Sequence, residues 1–222
     1  MEEALGADRA RRAAVSASRL DPARTCLLLF DLLEGHANRD PAARERYRTV
    51  IANAAALLAA ARCAGAVVAY ANADHRPEKG RPRLRDTDNR LRPVTAESDQ
   101  PAIVGGTPQA RVVAELAPQS SDYIVPKHRW SAFHGTYLDL ALRARNVDTI
   151  ALCGGSTDVG IAATAFAARD FDYDLLIISD ACTSPEQDNH AQFMKRIFPR
   201  MARVRTTAEV LRMLSPLSAA AP

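Results

Sequence analysis

Residues 149–164, TIALCGGSTDVGIAAT, constrain the fold of this chain more than any other stretch. The opening residues are apolar or β-branched and read as a buried strand, and the closing ones are Ala-rich with helical spacing. Between them Gly154 and Gly155 break the strand. Ser156, Thr157 and Asp158 are favoured helix starters, so the helix begins among them and takes Gly160 into its first turn. A strand that turns straight into a helix leaves several backbone N–H groups without helical partners, pointing at whatever lies beyond the strand end.

The rest of the chain repeats this alternation. Residues 25–31, TCLLLFD, form a nearly continuous apolar run ended by a carboxylate, as in a central parallel strand covered on both faces. Val50, Ala54, Leu57, Leu58 and Ala61 follow at helical spacing, and Gly65 is placed to cap that helix. Further strands are predicted at residues 66–71, 123–125, 149–153 and 175–180, with a short edge strand at 204–205. Helices are predicted at 107–116, 135–145, 185–201 and 208–214. Strict alternation implies an α/β fold, a doubly wound, mostly parallel sheet of about six strands with helices on both faces and right-handed crossovers. At 222 residues one domain is expected, over residues 23–215, with an N-terminal arm or surface helix at 1–22 and a C-terminal tail at 216–222.

Composition narrows the function. Lys and Arg number 29 against 26 Asp and Glu, a formal charge of +3, which makes no case for a nucleic-acid partner without a basic patch beside stacking aromatics. No run approaches the ~18 apolar residues of a membrane span, and no signal peptide is evident, so a cytoplasmic protein is expected. Cys26, Cys63, Cys153 and Cys182 lack C-x-x-C spacing and lie in or beside apolar runs, which suits reduced, buried thiols. Residues 72–106 show no period and read as a lid or binding loop. Between Arg76 and Arg92 seven basic residues stand against three acids, an excess that suits an anionic substrate, a neighbouring subunit, or simply solvent.

Residues 157–164, TDVGIAAT, resemble the active-site turn of the isochorismatase-like cysteine hydrolases, in which a small-residue turn precedes Thr-x-x-Cys-Val-x-x-Thr. Residues 125–138, VPKHRWSAFHGTYL, resemble the family pattern around its lysine, and Asp180-Ala-Cys-Thr-Ser its strand-end tail. The resemblance covers roughly residues 24–206. It implies that Asp31, Lys127 and Gly160 stand where the family has its catalytic Asp, Lys and Cys. Gly160 cannot attack a carbonyl, so chemistry here is non-covalent or uses another group. Isochorismatases proper, which hydrolyse a vinyl ether, also lack the cysteine. The resemblance further implies a cis peptide between Gly155 and Ser156.

From this the chain is expected to be a hydrolase acting on a small, anionic molecule by Asp31-assisted acid catalysis of vinyl-ether type, with Lys127 holding a carboxylate or orienting Asp31. Two alternatives stay open: an amide or ureido C–N hydrolase with Asp31-activated water, and a catalytically dead relative that binds a ligand or protein. The competing reading of a strand-end Asp and Lys is a structural ion pair, and their place where this fold gathers ligands favours catalysis. Gly155, Ser156, Trp130, Phe133 and His36 are the expected substrate-binding residues, with His128 and His134 at the rim. Ser156 as a substitute nucleophile has no base identifiable in the sequence. Asp74-His75-Arg76-Pro77 only partly matches the metal-binding Asp-x-His-Pro stretch of related nicotinamidases, so neither metal nor cofactor is expected. Leu33 stands where the family often has a Gln. A homo-oligomer is expected by resemblance.

Overall fold

The computed structural model describes residues 18–75 and 103–215. The basic stretch 76–92, residues 1–17 of the predicted arm and the tail 216–222 lie outside the described residues. Six strands, β1 Thr25–Phe30, β2 Val67–Ala73, β3 Tyr123–Lys127, β4 Thr149–Gly155, β5 Asp174–Thr183 and β6 Arg203–Arg205, form one sheet in the order β3-β2-β1-β4-β5-β6. Every pairing in it is parallel. Helices α1 Glu34–Ala37, α2 Pro41–Ala64, α3 Leu138–Ala144, α4 Ala162–Asp170, α5 Gln187–Gln192 and α6 Thr207–Leu214 connect and cover the strands.

Local chemistry sets the helix ends. The Asp40 side chain accepts from the Ala43 N–H, Pro41 occupies the first helical turn, and Gly65 closes α2 at φ 76°. Ala43, Tyr47, Val50, Ala54, Leu57, Leu58 and Ala61 form the buried stripe of α2. Helix α6 opens with a reciprocal Thr206–Glu209 capping box, and the Leu20 N–H donates to its Met213 carbonyl, so residues 18–22 of the predicted arm dock on the last helix. No helix among the described residues is long and apolar enough to cross a membrane.

Three expectations need correction. Residues 107–116 form two 3₁₀ turns, Pro108–Ala110 and Ala114–Leu116, and not one helix. Between them Val112 bridges antiparallel to Leu33, so the segment's polar backbone is satisfied by the loop after β1. Residues 185–201 divide into α5, a π turn at Phe193–Ile197 and a 3₁₀ turn at Phe198–Arg200, where Pro199 cannot continue a helix. Cys63 is exposed, whereas Cys26, Cys153 and Cys182 are buried.

The chain lays down β1, β2 and β3 toward one edge and β4, β5 and β6 toward the other, so the order reverses between β1 and β4. Ligands of such sheets bind at this reversal, beyond the carboxyl ends of the strands. Here a glycine turns its missing side chain toward the neighbouring strand. Gly154 adopts φ 127°, and a Cβ on it would lie 2.0 Å from the Phe30 carbonyl oxygen. Just beyond, β5 bulges: Leu152 pairs with Ile177 but Gly154 with Cys182. The bulged Asp180 accepts from the Thr207 N–H and hydroxyl, and its carbonyl accepts from Asn53, which ties the strand end to α6 and α2. Gly154→Ala is therefore expected to cost about 3 kcal/mol or more, or to prevent folding, as read by urea denaturation.

Candidate active site

Three adjacent strands converge on one carboxylate. Asp31 follows β1 at φ 52°, a left-handed conformation that Asp tolerates better than most side chains. Its Oδ1 accepts from the Ala73 N–H of β2 at 2.7 Å, and its Oδ2 accepts from Lys127 Nζ of β3 at 2.7 Å. Ala73 and Lys127 are partners in the parallel ladder, so strand register alone brings both donors to Asp31. The pair is dry: the Lys127 and Asp31 side chains are 3% and 9% exposed. Lys127 Nζ also lies 4.2 Å from the centroid of the Phe30 ring, a cation–π contact in a desolvated setting. His36 Nδ1 is 3.1 Å from the Asp31 carbonyl; a carbonyl only accepts, so this nitrogen carries the proton.

The turn after β4 meets the same Phe30 ring. The Gly155–Ser156 peptide is cis, as the resemblance implied. The helix then begins with a π turn at Thr157–Ile161, closed by Ile161 N–H to the Ser156 carbonyl at 3.0 Å, before α4. Gly160 lies in this turn and is buried. A Cβ there would sit 2.3 Å from Phe30 Cε1 and 2.5 Å from Cζ, so the aromatic ring fills the space a side chain at 160 would need. Gly155 is equally confined, a Cβ there falling 2.4 Å from the Tyr47 hydroxyl.

Ser156 has a partner after all. Its hydroxyl donates to Asp158 Oδ1 at 2.5 Å, as does that of Ser184, while Asn189 donates to Oδ2 at 2.7 Å. Burial alone would raise the Asp158 pKa, but the three donors outweigh it and hold the carboxyl below its ordinary range. Such a carboxylate is a weak base, which argues against Ser156 as a nucleophile. Next to it, His190 Nδ1 lies 2.9 Å from the Thr157 hydroxyl, and burial lowers the imidazole pKa despite the Asp158 charge.

The other expected binding residues are scattered. Trp130 is 54% exposed. Phe133 packs on Phe171 and Tyr173, with ring centroids 5.4 and 5.7 Å apart, against residues that lead into the amino end of β5, so its ring is occupied away from the strand-end crevice. The thiols of Cys153 and Cys182 are buried, and burial pushes that of Cys182 up to about 12, which leaves neither suited to nucleophilic work. Among the described residues no group of three or more His, Cys, Asp or Glu could hold a metal ion. Sequence reasoning did not find Phe30, Tyr47 or the Ser184 and Asn189 partners of Asp158. Phe30 left one signal: it is the lone aromatic in an aliphatic strand.

Comparison with known proteins bears on the family and the fold. The family model "Isochorismatase domain" matches residues 25–209. An uncharacterized isochorismatase family protein, YwoC of Bacillus subtilis, is 33% identical over 86% of this chain and 95% of its own length. Maleamate amidohydrolase of Pseudomonas putida is 28% identical over 86% of this chain and 87% of its own. Among solved structures, a cysteine hydrolase from Pseudomonas syringae pv. phaseolicola aligns with a TM-score of 0.74 and 29% identity, covering 88% of this chain and 94% of that one.

Two outcomes follow. Gly160→Ala should cost about 1–3 kcal/mol by overpacking against Phe30, and combining it with Phe30→Val should cost less than the sum of the two, measured as a double-mutant cycle in urea. Because the folded His190 binds a proton less readily than the unfolded chain, its contribution to stability falls as pH drops through the ordinary imidazole range. Wild type should thus lose more stability than His190→Gln between about pH 7.5 and about pH 5.5.

Proposed function

The chain belongs to the isochorismatase family of hydrolases, and on that premise we propose that it hydrolyses a small, carboxylate-bearing molecule without a covalent intermediate, Asp31 moving the proton. One observation carries the reading: a buried acid–base pair, Asp31 and Lys127 at 2.7 Å, whose lysine lies over the same Phe30 ring that fills the side-chain space of Gly160. On this reading Gly160 stands at the position of the family's thiol. No thiol fits there while Phe30 keeps its place, so the site retains the proton-transfer half of a hydrolase and dispenses with the nucleophilic half.

Vinyl-ether cleavage needs just that half. Protonated Asp31 adds its proton to the terminal carbon of an enol ether, generating an oxocarbenium ion. Water adds to the cation and returns a proton to the Asp31 carboxylate, and the resulting hemiketal collapses to a ketone and an alcohol. One water is consumed and Asp31 is regenerated. Lys127, fixed by the Asp31 hydrogen bond and the Phe30 ring, supplies a positive charge that favours an anionic substrate.

A second reading has an observation of its own. Both Asp31 oxygens accept hydrogen bonds, one from a cation, an arrangement that suits a carboxylate acting as base on water. C–N hydrolysis would then follow, in line with the similarity to a maleamate amidohydrolase. A chromatographic assay of the purified protein with isochorismate and with maleamate separates the two. Pyruvate from isochorismate, reduced at least about 100-fold in Asp31→Ala, supports acid catalysis; ammonia from maleamate moves the assignment to C–N cleavage. Turnover of neither leaves a ligand-binding relative. We also propose a homo-oligomer, supported by the exposed apolar side chains of Ile124, Tyr137 and Leu140, of which Tyr137 bonds the Ile124 carbonyl.

A further inference from the structure

Tyr47 is the large aromatic of the α2 stripe and only 7% exposed, and its hydroxyl has no hydrogen-bond partner among the described residues. A tyrosine buries its ring and keeps a polar tip, and this tip is not among the sealed, unbonded polar atoms of the structure, so it opens on space that solvent or a ligand can reach. This hydroxyl is not lost in the core. It reaches the cis turn after β4, so close to Gly155 that a Cβ there would come within 2.4 Å of it, and it lies within electrostatic reach of Asp31. Arg46 and Arg39, from the start of α2 and the loop before it, exert their charges on the same hydroxyl. The Arg46 guanidinium is 5.9 Å from the Tyr47 ring centroid, and its Nε is buried without a hydrogen bond among the described residues.

We propose that Tyr47 is a substrate-binding residue whose hydroxyl donates to a carboxylate oxygen of the substrate, held between Asp31 and the Gly155–Ser156 peptide. The assignment deepens the hydrolase reading above and rests on it for the identity of the crevice. Burial first, and then the Asp31 charge, pushes the Tyr47 pKa up to about 12, so the phenol remains a donor at neutral pH. An oxygen acceptor is required because the vacant group is an O–H. An anionic one is favoured because two guanidinium charges reach this point. Gly155 keeps the hydroxyl's place open, since any side chain at 155 would occupy it. Lys127 and Tyr47 then stand as the two donors around Asp31, the first bonded to it and the second left for the substrate.

Tyr47→Phe removes the oxygen and keeps the ring. Titration calorimetry of wild type, Tyr47→Phe and Asp31→Asn with maleate and with pyruvate reads binding apart from turnover. The expected result is a Kd raised about 10- to 100-fold in Tyr47→Phe, with a melting temperature equal to or above that of wild type, because a hydroxyl without a protein hydrogen-bond partner adds little to folding. Asp31→Asn should still bind. Binding by Tyr47→Phe within twofold of wild type overturns the assignment, as does a lowered melting temperature, which would mark the hydroxyl as structural. Failure of the wild type to bind either carboxylate overturns it too. If carboxylates bind and Tyr47→Phe weakens them while isochorismate and maleamate both go unhydrolysed, the Tyr47 assignment stands and the hydrolase reading falls.

Discussion

The glycine that pairs β4 with the end of β1 is the constraint on which the rest of this structure depends. A parallel sheet that reverses its winding must bring two strand ends together with nothing between them, and here the lack of a side chain at Gly154 lets the backbone reach the Phe30 carbonyl. Asp31, one residue past Phe30, thereby faces the turn one residue past Gly154. The crevice between them is thus a product of backbone geometry, and the side chains only furnish it.

That furnishing is economical. β1 contributes the carboxylate, β2 a backbone N–H and β3 the lysine, all delivered by ladder register. Removing two charges from water is costly, and such a pair persists when further hydrogen bonds complete it; the Ala73 N–H and the Phe30 ring meet that need. The turn after β4 looks three ways. Gly160 meets Phe30, Gly155 meets Tyr47, and Ser156 with Asp158 faces the end of β5 through Ser184 and Asn189. The polar cluster on the last side fixes the turn without entering the crevice.

The sheet was legible in the sequence because each buried strand is a nearly unbroken apolar run ended by a polar or small residue, and strand ends are where this architecture gathers ligands. Asp31 and Lys127 were therefore locatable before any coordinates, and the glycine turn was recognisable from its punctuation. Helix boundaries were less so. Residues 107–116 carry helical spacing, yet the loop after β1 competes for their backbone through Leu32, Leu33 and Glu34, and that partner is distant in sequence. Phe133 looked like a wall because its neighbours match a known pattern, whereas its ring is taken by Phe171 and Tyr173, some forty residues on. Phe30 and Tyr47 escaped notice for a common reason. Periodicity identifies which residues are buried, but not which glycine each will be pressed against.

The contact between Phe30 and Gly160 bears on how a chain like this can change over generations. A glycine codon lies one nucleotide from a cysteine codon, so a thiol at 160 is genetically near. It is sterically obstructed, because the ring must shift or shrink for the thiol to enter. A side chain at 160 and a full-sized, unmoved ring at 30 compete for one space, so a change at either position alters what the other tolerates. The contact thus couples positions 30 and 160 through packing, far apart as they are in the chain.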